Sequence, residues 1–213
     1  ARQTVHMGPD KSADDFVIRA PDGATEVTAR VIGIVENRVT TTALTARLAV
    51  VNGIVPADPD QDVAQVALVE RHRASGTVVN AFVKGFGYQG KMAMASTVAH
   101  DSHHMIVVGT DRAMMAAAAN SLAAFGGGFS LWKDGAELAR VPLPIAGLMS
   151  DRPAIEVATQ ATRLVEAMAE CGCTLNNANM QHAFLALVVI PELRISDLGL
   201  VDVTEFKLTE VFS

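Results

Sequence analysis

Five neighbouring side chains suited to chemistry stand directly before an apolar run, in the sequence His100-Asp101-Ser102-His103-His104. Imidazole and carboxylate groups at the entrance of a strand can project into a cleft, where His supplies a base, a hydrogen bond or a metal ligand near neutral pH. A structural role is an equally open interpretation, because Asp101 and Ser102 can cap a turn while the histidines bond backbone carbonyls. The segment therefore marks a candidate site, but its spacing does not define the chemistry.

A complete metal site within this segment is not expected. The pair His100 and His103 lacks the helical placement and the companion Glu of a zincin, and the chain has no His-x-His sequence. The two cysteines, Cys171 and Cys173, stand one residue apart, a spacing that suits neither an unstrained disulfide nor a four-ligand zinc site. We predict no metal ligand in this chain.

Other motifs carry weaker signals. The glycines at 126–128 follow a predicted helix and indicate its end, whereas a phosphate site needs amides that open a helix. The loop 85–90 has the Gly spacing of a dinucleotide motif without a clear following helix, although its glycines would let backbone approach a ligand. The segment 70–72, Glu-Arg-His, is either a polar strand end or a contribution to a site. Asp197 and Asp202 are better explained by a turn than as a catalytic carboxylate pair.

The composition limits the classes of protein. The chain has 213 residues, enough for one large domain with an attached fragment, and half of them are hydrophobic, with a mean hydropathy of +0.27. A net charge of −6 without a Lys/Arg-rich run argues against nucleic acid as a partner. No apolar run approaches the roughly 20 residues that span a bilayer, and the first residues do not resemble a signal peptide. We expect a cytoplasmic protein without a membrane segment.

The chemistry-bearing segment must be positioned by strands and helices that the pattern also predicts. Apolar alternation predicts an antiparallel strand pair at 26–35 and 43–52, followed by the hairpin signal Asn52-Gly53. Thr110 or Asp111 caps a helix at 113–125, and Asp151 caps a second one at 153–171. In the second helix, the predicted core face is Ile155, Ala158, Thr162, Val165 and Met168 or Ala169. Further strands are predicted at 63–70, 77–84, 105–108, 129–132, 137–141 and near the end of the chain.

These elements predict an α/β fold, with α+β as the other possibility: a layered mixed sheet with at least two packed helices.

Eight strings, in order along the chain, resemble the carboxy-terminal domain of adenine deaminase, a branch of the amidohydrolase superfamily. They are Val31–Asn37, Val69–His72, Lys84–Gly87, Ala95–His103, Ile106–Thr110, Leu143–Ser150, Val189–Leu193 and Gly199–Val203. The resemblance covers nearly everything after Thr28. It implies that residues 28–213 form this domain, and that residues 1–27 are the exit segment from a preceding barrel and small β domain.

The resemblance also implies a function. It suggests an accessory domain that covers the active site of a metal-dependent barrel, where adenine is hydrolysed to hypoxanthine and ammonia. Two divalent metals, manganese or iron, would be bound by residues outside this chain, which alone would be inactive. The expected partners are the amino-terminal catalytic barrel of the same polypeptide, adenine and further copies in a homo-oligomer.

Site residues follow from the same resemblance. His100, Asp101 and His103 are expected to be catalytic, and Ser102 and Phe86 to bind substrate. The chain departs from the family pattern at His104, where Asn is frequent, and at Val188, where Pro is common. Two alternatives remain: a purely structural or oligomerisation domain without catalytic residues, and a self-contained metal hydrolase that uses the His/Asp cluster.

Overall fold

A mixed eight-stranded sheet forms the centre of the protein, for which the computed structural model describes residues 1–213. Its strands are β1 Glu26–Ile34, β2 Thr41–Ala49, β3 Val63–Val69, β4 Val78–Lys84, β5 Met92–Ser96, β6 Met105–Gly109, β7 Gly128–Lys133 and β8 Ala136–Pro142. They lie in the order β2-β1-β4-β3-β6-β5-β7-β8. All neighbours are antiparallel except β1 and β4, which are parallel. The predicted mixed sheet is confirmed.

The middle of the sheet is covered on both faces. Every residue of β3, β5 and β6 is buried, as expected of strands that read as continuous apolar runs. Because β5 directly follows the glycine loop 85–90, that loop opens a strand, so the helix needed for a dinucleotide site is missing.

The helix α1, Arg112–Ala124, packs on one face of the sheet. Asp111 begins it, with a side-chain oxygen that accepts a hydrogen bond from the Met114 N–H at 3.0 Å. Its buried side, which includes Met115, Ala118 and Leu122, contacts the central strands. The predicted helix is confirmed, with Asp111 rather than Thr110 as its cap.

The opposite face carries two helices and a small antiparallel sheet. These elements are α2 Ala154–Glu170, α3 Ala178–Phe184, β9 Leu193–Ser196, β10 Gly199–Asp202 and β11 Lys207–Thr209. Together with the large sheet they enclose the largest core cluster, of 28 buried residues. The layered α/β fold with at least two packed helices is thus confirmed. None of the helices has the length and apolar character that a membrane crossing requires.

The predicted core face of α2 is wrong except at Met168. Leu164, Ala167 and Met168 are buried, whereas Ile155 is 76% exposed and Val165 is 53% exposed. The helix has apolar residues on two sides, and the side with the larger Leu and Met side chains packs against the sheet.

The predicted cap of α2 is wrong as well. Pro153 occupies the cap position, and no side chain caps the helix. Asp151 instead forms an ion pair with Arg2.

The hairpin turn predicted at Asn52-Gly53 forms after β2, and it does not join β1 to β2. The antiparallel pair β1–β2 is confirmed, but residues 35–40 connect its strands. Asn52 and Gly53 form a separate tight turn after β2, in which Val51 pairs with Ile54. A local turn signal specifies the turn but not which strands it joins.

The first residues of the chain pack on the same core. Phe16 is fully buried in the cluster around α1, and the Lys11 backbone exchanges two hydrogen bonds of 2.8 Å with the Asn120 side chain. The domain boundary predicted between residues 27 and 28 lies inside β1.

Candidate functional site

One end of the large sheet gathers the loops that carry most predicted site residues. The β3–β4 connection at 70–77 and the β5–β6 connection at 97–104 lie at this end, because β3 is antiparallel to both β4 and β6. Residues 126–127, before β7, and 143–150, after β8, reach the same end. We name residues 97–104 the site turn.

Four predicted site residues come together in the site turn. The Asp101 side chain is 76% exposed and that of His100 is 33% exposed, with Asp101 Oδ1 3.8 Å from His100 Nδ1. Ser102 is also exposed, and the rings of His100 and His103 lie 5.2 Å apart. The His100 N–H donates to the Ala183 carbonyl at 2.9 Å, which anchors the turn to α3. The turn therefore presents imidazole, carboxylate and hydroxyl groups at the protein surface.

The protonation of His103 is set by its surroundings. The Ala99 N–H donates to His103 Nδ1 at 3.3 Å, a contact that assigns the proton of the neutral ring to Nε2. Burial lowers the pKa of His103, the charges of His100 and Arg71 lower it further, and Asp101 opposes them. At neutral pH His103 is thus an uncharged ring with an Nε2–H donor.

His104 lines a cavity with His72, and neither His100 nor His103 lines it. It lies in a cleft of about 370 Å³ with Glu70 and Asp197, and its ring is 4.7 Å from that of His72. Its Nδ1 is buried without a hydrogen-bond partner, and burial lowers the pKa of His104 despite the nearby carboxylates. The sequence set His104 apart only as a departure from the family pattern, and it did not indicate the separate cleft.

Thr97 fixes the start of the site turn. Its hydroxyl donates to the Gly147 carbonyl at 2.6 Å and accepts from the Gly128 N–H at 2.7 Å. A Cβ on Gly147 would lie 3.0 Å from Thr97 Oγ1, and Gly147 has a φ of +74°. Glycine is therefore required where the loops approach each other. This junction was not predicted from the sequence, in which its only signal is a Gly in the loop 143–150.

Phe86 does not lie near the site turn. It follows β4 at the opposite end of the sheet and is only 2% exposed. Its ring stacks on Tyr88 at 5.1 Å and lies 4.4 Å from the His182 ring. Because the side chain fills the core, the predicted substrate contact of Phe86 finds no support in this domain.

The residues of the chain do not fit a metal pair. No group of three or more His, Cys, Asp or Glu side chains has a geometry that could hold a metal ion. The free thiols of Cys171 and Cys173 are buried, and burial raises the pKa of Cys171 to about 11. They lack the thiolate character of reactive or metal-binding cysteines.

The fold and the site turn define a class: a layered α/β domain that displays a polar turn at one end of its central sheet. Comparison with protein families gives the particular member of that class. Residues 38–207 match the family model of the adenine deaminase C-terminal domain, so the chain belongs to this family.

Longer relatives agree with the family match. The chain is 69% identical over 207 residues to an adenine deaminase of Ruegeria sp. (strain TM1040), a match of 97% of this chain and 34% of that protein. It is 68% identical over 211 residues to the adenine deaminase of Roseobacter denitrificans and 46% identical over 212 residues to that of Moorella thermoacetica. Those matches cover 99% and 100% of this chain, and 35% of each relative. The chain thus spans about a third of the length of its relatives.

Proposed function

We propose that this chain is the accessory carboxy-terminal domain of an adenine deaminase and covers the active site of a metal-dependent barrel that hydrolyses adenine to hypoxanthine and ammonia. Support comes from the family match and from relatives that are named adenine deaminase and are about three times as long. Two divalent metals, manganese or iron, belong to the proposal only as ions bound by residues outside this chain. The amino-terminal barrel of the same polypeptide is the proposed partner.

The exposed site turn is the observation that carries this proposal. Its polar groups are held by main-chain contacts on the sheet side while Asp101 and Ser102 face outward. Adenine offers ring nitrogens that accept hydrogen bonds and an amino group that donates them. In the proposal, His103 Nε2–H and the Ser102 hydroxyl donate to the purine, and the Asp101 carboxylate accepts. His100 lies beside Asp101, with 3.8 Å between its Nδ1 and Asp101 Oδ1.

Alanine substitutions in the full-length protein test the proposal. His100→Ala, Asp101→Ala and His103→Ala should each lower kcat for adenine by about 100-fold or more, with folding and metal content unchanged. Asp60→Ala is the matched control, because Asp60 is exposed at the opposite end of the sheet. Normal turnover in all three site-turn variants would refute the proposed role.

A purely structural or oligomerisation domain is the second candidate, and a separate observation favours it. The exposed Ile155 and Val165 give α2 an apolar outer side that suits packing against another protein surface. In that case the three alanine variants keep full turnover, while Ile155→Glu or Val165→Glu changes the oligomeric state measured by light scattering.

A further inference from the structure

The residues after β3 face the site turn one by one. Val69, the last residue of β3, pairs with Met105, the first residue of β6. Beyond this pair, the segment after Val69 and the segment before Met105 run side by side. Successive side chains of the first segment reach across to the second. His72 Nε2 donates to the Ser102 carbonyl at 2.8 Å, Arg71 Nε donates to the His103 carbonyl, and Glu70 Oε1 lies 3.9 Å from His104 Nδ1.

Arg71 joins three segments through backbone carbonyls. Its guanidinium also donates to the carbonyls of Thr4 at 3.1 Å and Ala146 at 3.0 Å, and the residue is only 2% exposed. Arg71 takes part in none of the ion pairs of the chain. The planar fork of guanidinium donors suits several fixed acceptors at once, which a lysine ammonium cannot reproduce. The bonds to Arg71 therefore fix the backbone of His103.

Glu70 holds His72 in place. Its carboxylate accepts the N–H groups of His72, Arg73 and Ser75. Burial raises the pKa of Glu70, but these N–H donors and the Ser75 hydroxyl outweigh it and lower the pKa to about 2. The turn 70–75 is thus organised around a permanent negative charge, and its geometry directs the His72 ring to Ser102.

We infer that Arg71 and His72 are positioning residues that hold the carbonyls of His103 and Ser102, and thereby aim the side chains of the site turn. This inference rests on the proposed function for its catalytic consequence. Neither residue touches the reacting groups; both act through the backbone of the turn. The Glu70 carboxylate supports both residues, because it accepts the N–H groups that organise the turn 70–75.

Arg71→Met in the full-length protein is the main test, with Arg73→Met as its matched control. Arg73 is exposed two positions further along, and its side chain makes no hydrogen bond. We expect Arg71→Met to lower kcat for adenine by about 10- to 100-fold while KM changes by less than about threefold. Arg73→Met should leave both constants unchanged.

The pH profile separates positioning from a loss of folded protein. The charged groups that act on His103 are His100, Arg71 and Asp101. Removing the Arg71 charge raises the pKa of His103, and protonation of Nδ1 breaks its bond from the Ala99 N–H. The acid limb of the kcat profile should therefore move to higher pH in Arg71→Met. A smaller amount of folded enzyme would lower the profile at every pH without moving it.

A second pair of variants remains informative if Arg71→Met does not fold. His72→Gln retains an N–H donor for the Ser102 carbonyl, and His72→Leu removes it. We expect His72→Gln to keep most of the turnover and His72→Leu to lose about 10-fold. Equal turnover of the two His72 variants would overturn the inference for His72.

Hydrogen exchange gives a readout independent of turnover. Measured by mass spectrometry on the full-length protein, amide exchange of residues 97–105 should speed up at least about 10-fold in Arg71→Met and His72→Leu, and not in Arg73→Met. Unchanged exchange there overturns the inference even if kcat falls. If the wild-type protein does not turn over adenine but exchange responds as expected, the proposed function fails and the positioning of the turn stands.

Discussion

Tyr88 and His182 are joined by a hydrogen bond inside the core, with Tyr88 Oη 2.8 Å from His182 Nε2. Tyr88 is 2% exposed and His182 is fully buried, and His182 Nδ1 has no partner. Burial lowers the pKa of His182 to about 3, so the ring stays neutral at physiological pH. The bond ties the loop after β4 to α3, the helix on which His100 of the site turn packs.

Tyr88→Phe should therefore destabilise the protein. The substitution leaves both nitrogens of the buried His182 ring without a partner, and the free energy of unfolding should fall by about 1–3 kcal/mol. Urea unfolding measures the change. Replacing both partners, as in Tyr88→Phe with His182→Phe, should recover part of the loss because no unpaired polar group remains. A double variant no more stable than Tyr88→Phe alone would show that the bond is not the cause.

Truncation to Ala should change the free energy of unfolding by very different amounts at two neighbouring residues of α2. Leu164 is 2% exposed in the core and Val165 is 53% exposed. Leu164→Ala should cost about 2–5 kcal/mol of unfolding free energy, whereas Val165→Ala should change it by less than about 0.5 kcal/mol. Thermal or urea unfolding of this chain provides the comparison. Similar losses in both variants would mean that the outer side of α2 is packed.

The fold was predictable where a local pattern has a single structural solution. The uninterrupted apolar run at Met105 predicted a buried strand, and Thr110 or Asp111 marked the start of α1 to within one residue. The face of α2 was not predictable, because a helix with two apolar stripes does not specify which one packs. The helix packs mainly on β8, and which of its sides does so is decided by the assembled sheet.

The candidate site was likewise predictable only where its residues are neighbours in the sequence. The clustering of His100, Asp101, Ser102 and His103 along the chain was enough to place them together. The segment 70–72 was open as a possible contribution to a site, but its contact with the site turn was not predictable, because Arg71 reaches that turn through the register between β3 and β6. Two further strands separate these neighbours in the sequence, so no local spacing records the contact. The position of Phe86 was not predictable for a related reason: a resemblance in the loop sequence does not say at which end of the sheet the loop lies.

Glu70→Gln should remove the part of the unfolding free energy that comes from the ionised Glu70 carboxylate and that is lost at acid pH. The folded pKa of about 2 lies below the ordinary value of 4.5, so the carboxylate stabilises the fold fully above pH 4.5, and this contribution is lost as the pH falls towards 2. The Glu70 side chain is 8% exposed, and the contribution is on the order of 3 kcal/mol.

Urea unfolding at several pH values measures this effect. Glu70→Gln should be less stable than the wild type at pH 7, and the difference should shrink between pH 4.5 and 2. Asp60→Asn is the control, because Asp60 is exposed. A constant difference across this pH range would contradict the assignment.

His103 is expected to act as a hydrogen-bond donor, and two substitutions distinguish this role from that of a base. The ring receives the Ala99 N–H at Nδ1, so its remaining nitrogen, Nε2, carries the proton. His103→Gln retains an N–H donor but has no basic nitrogen, whereas His103→Ala has neither. If donation matters, His103→Gln in the full-length protein should keep at least about 10-fold more kcat for adenine than His103→Ala. A steady-state assay at neutral pH gives the comparison, and equal losses would instead assign proton abstraction to the ring.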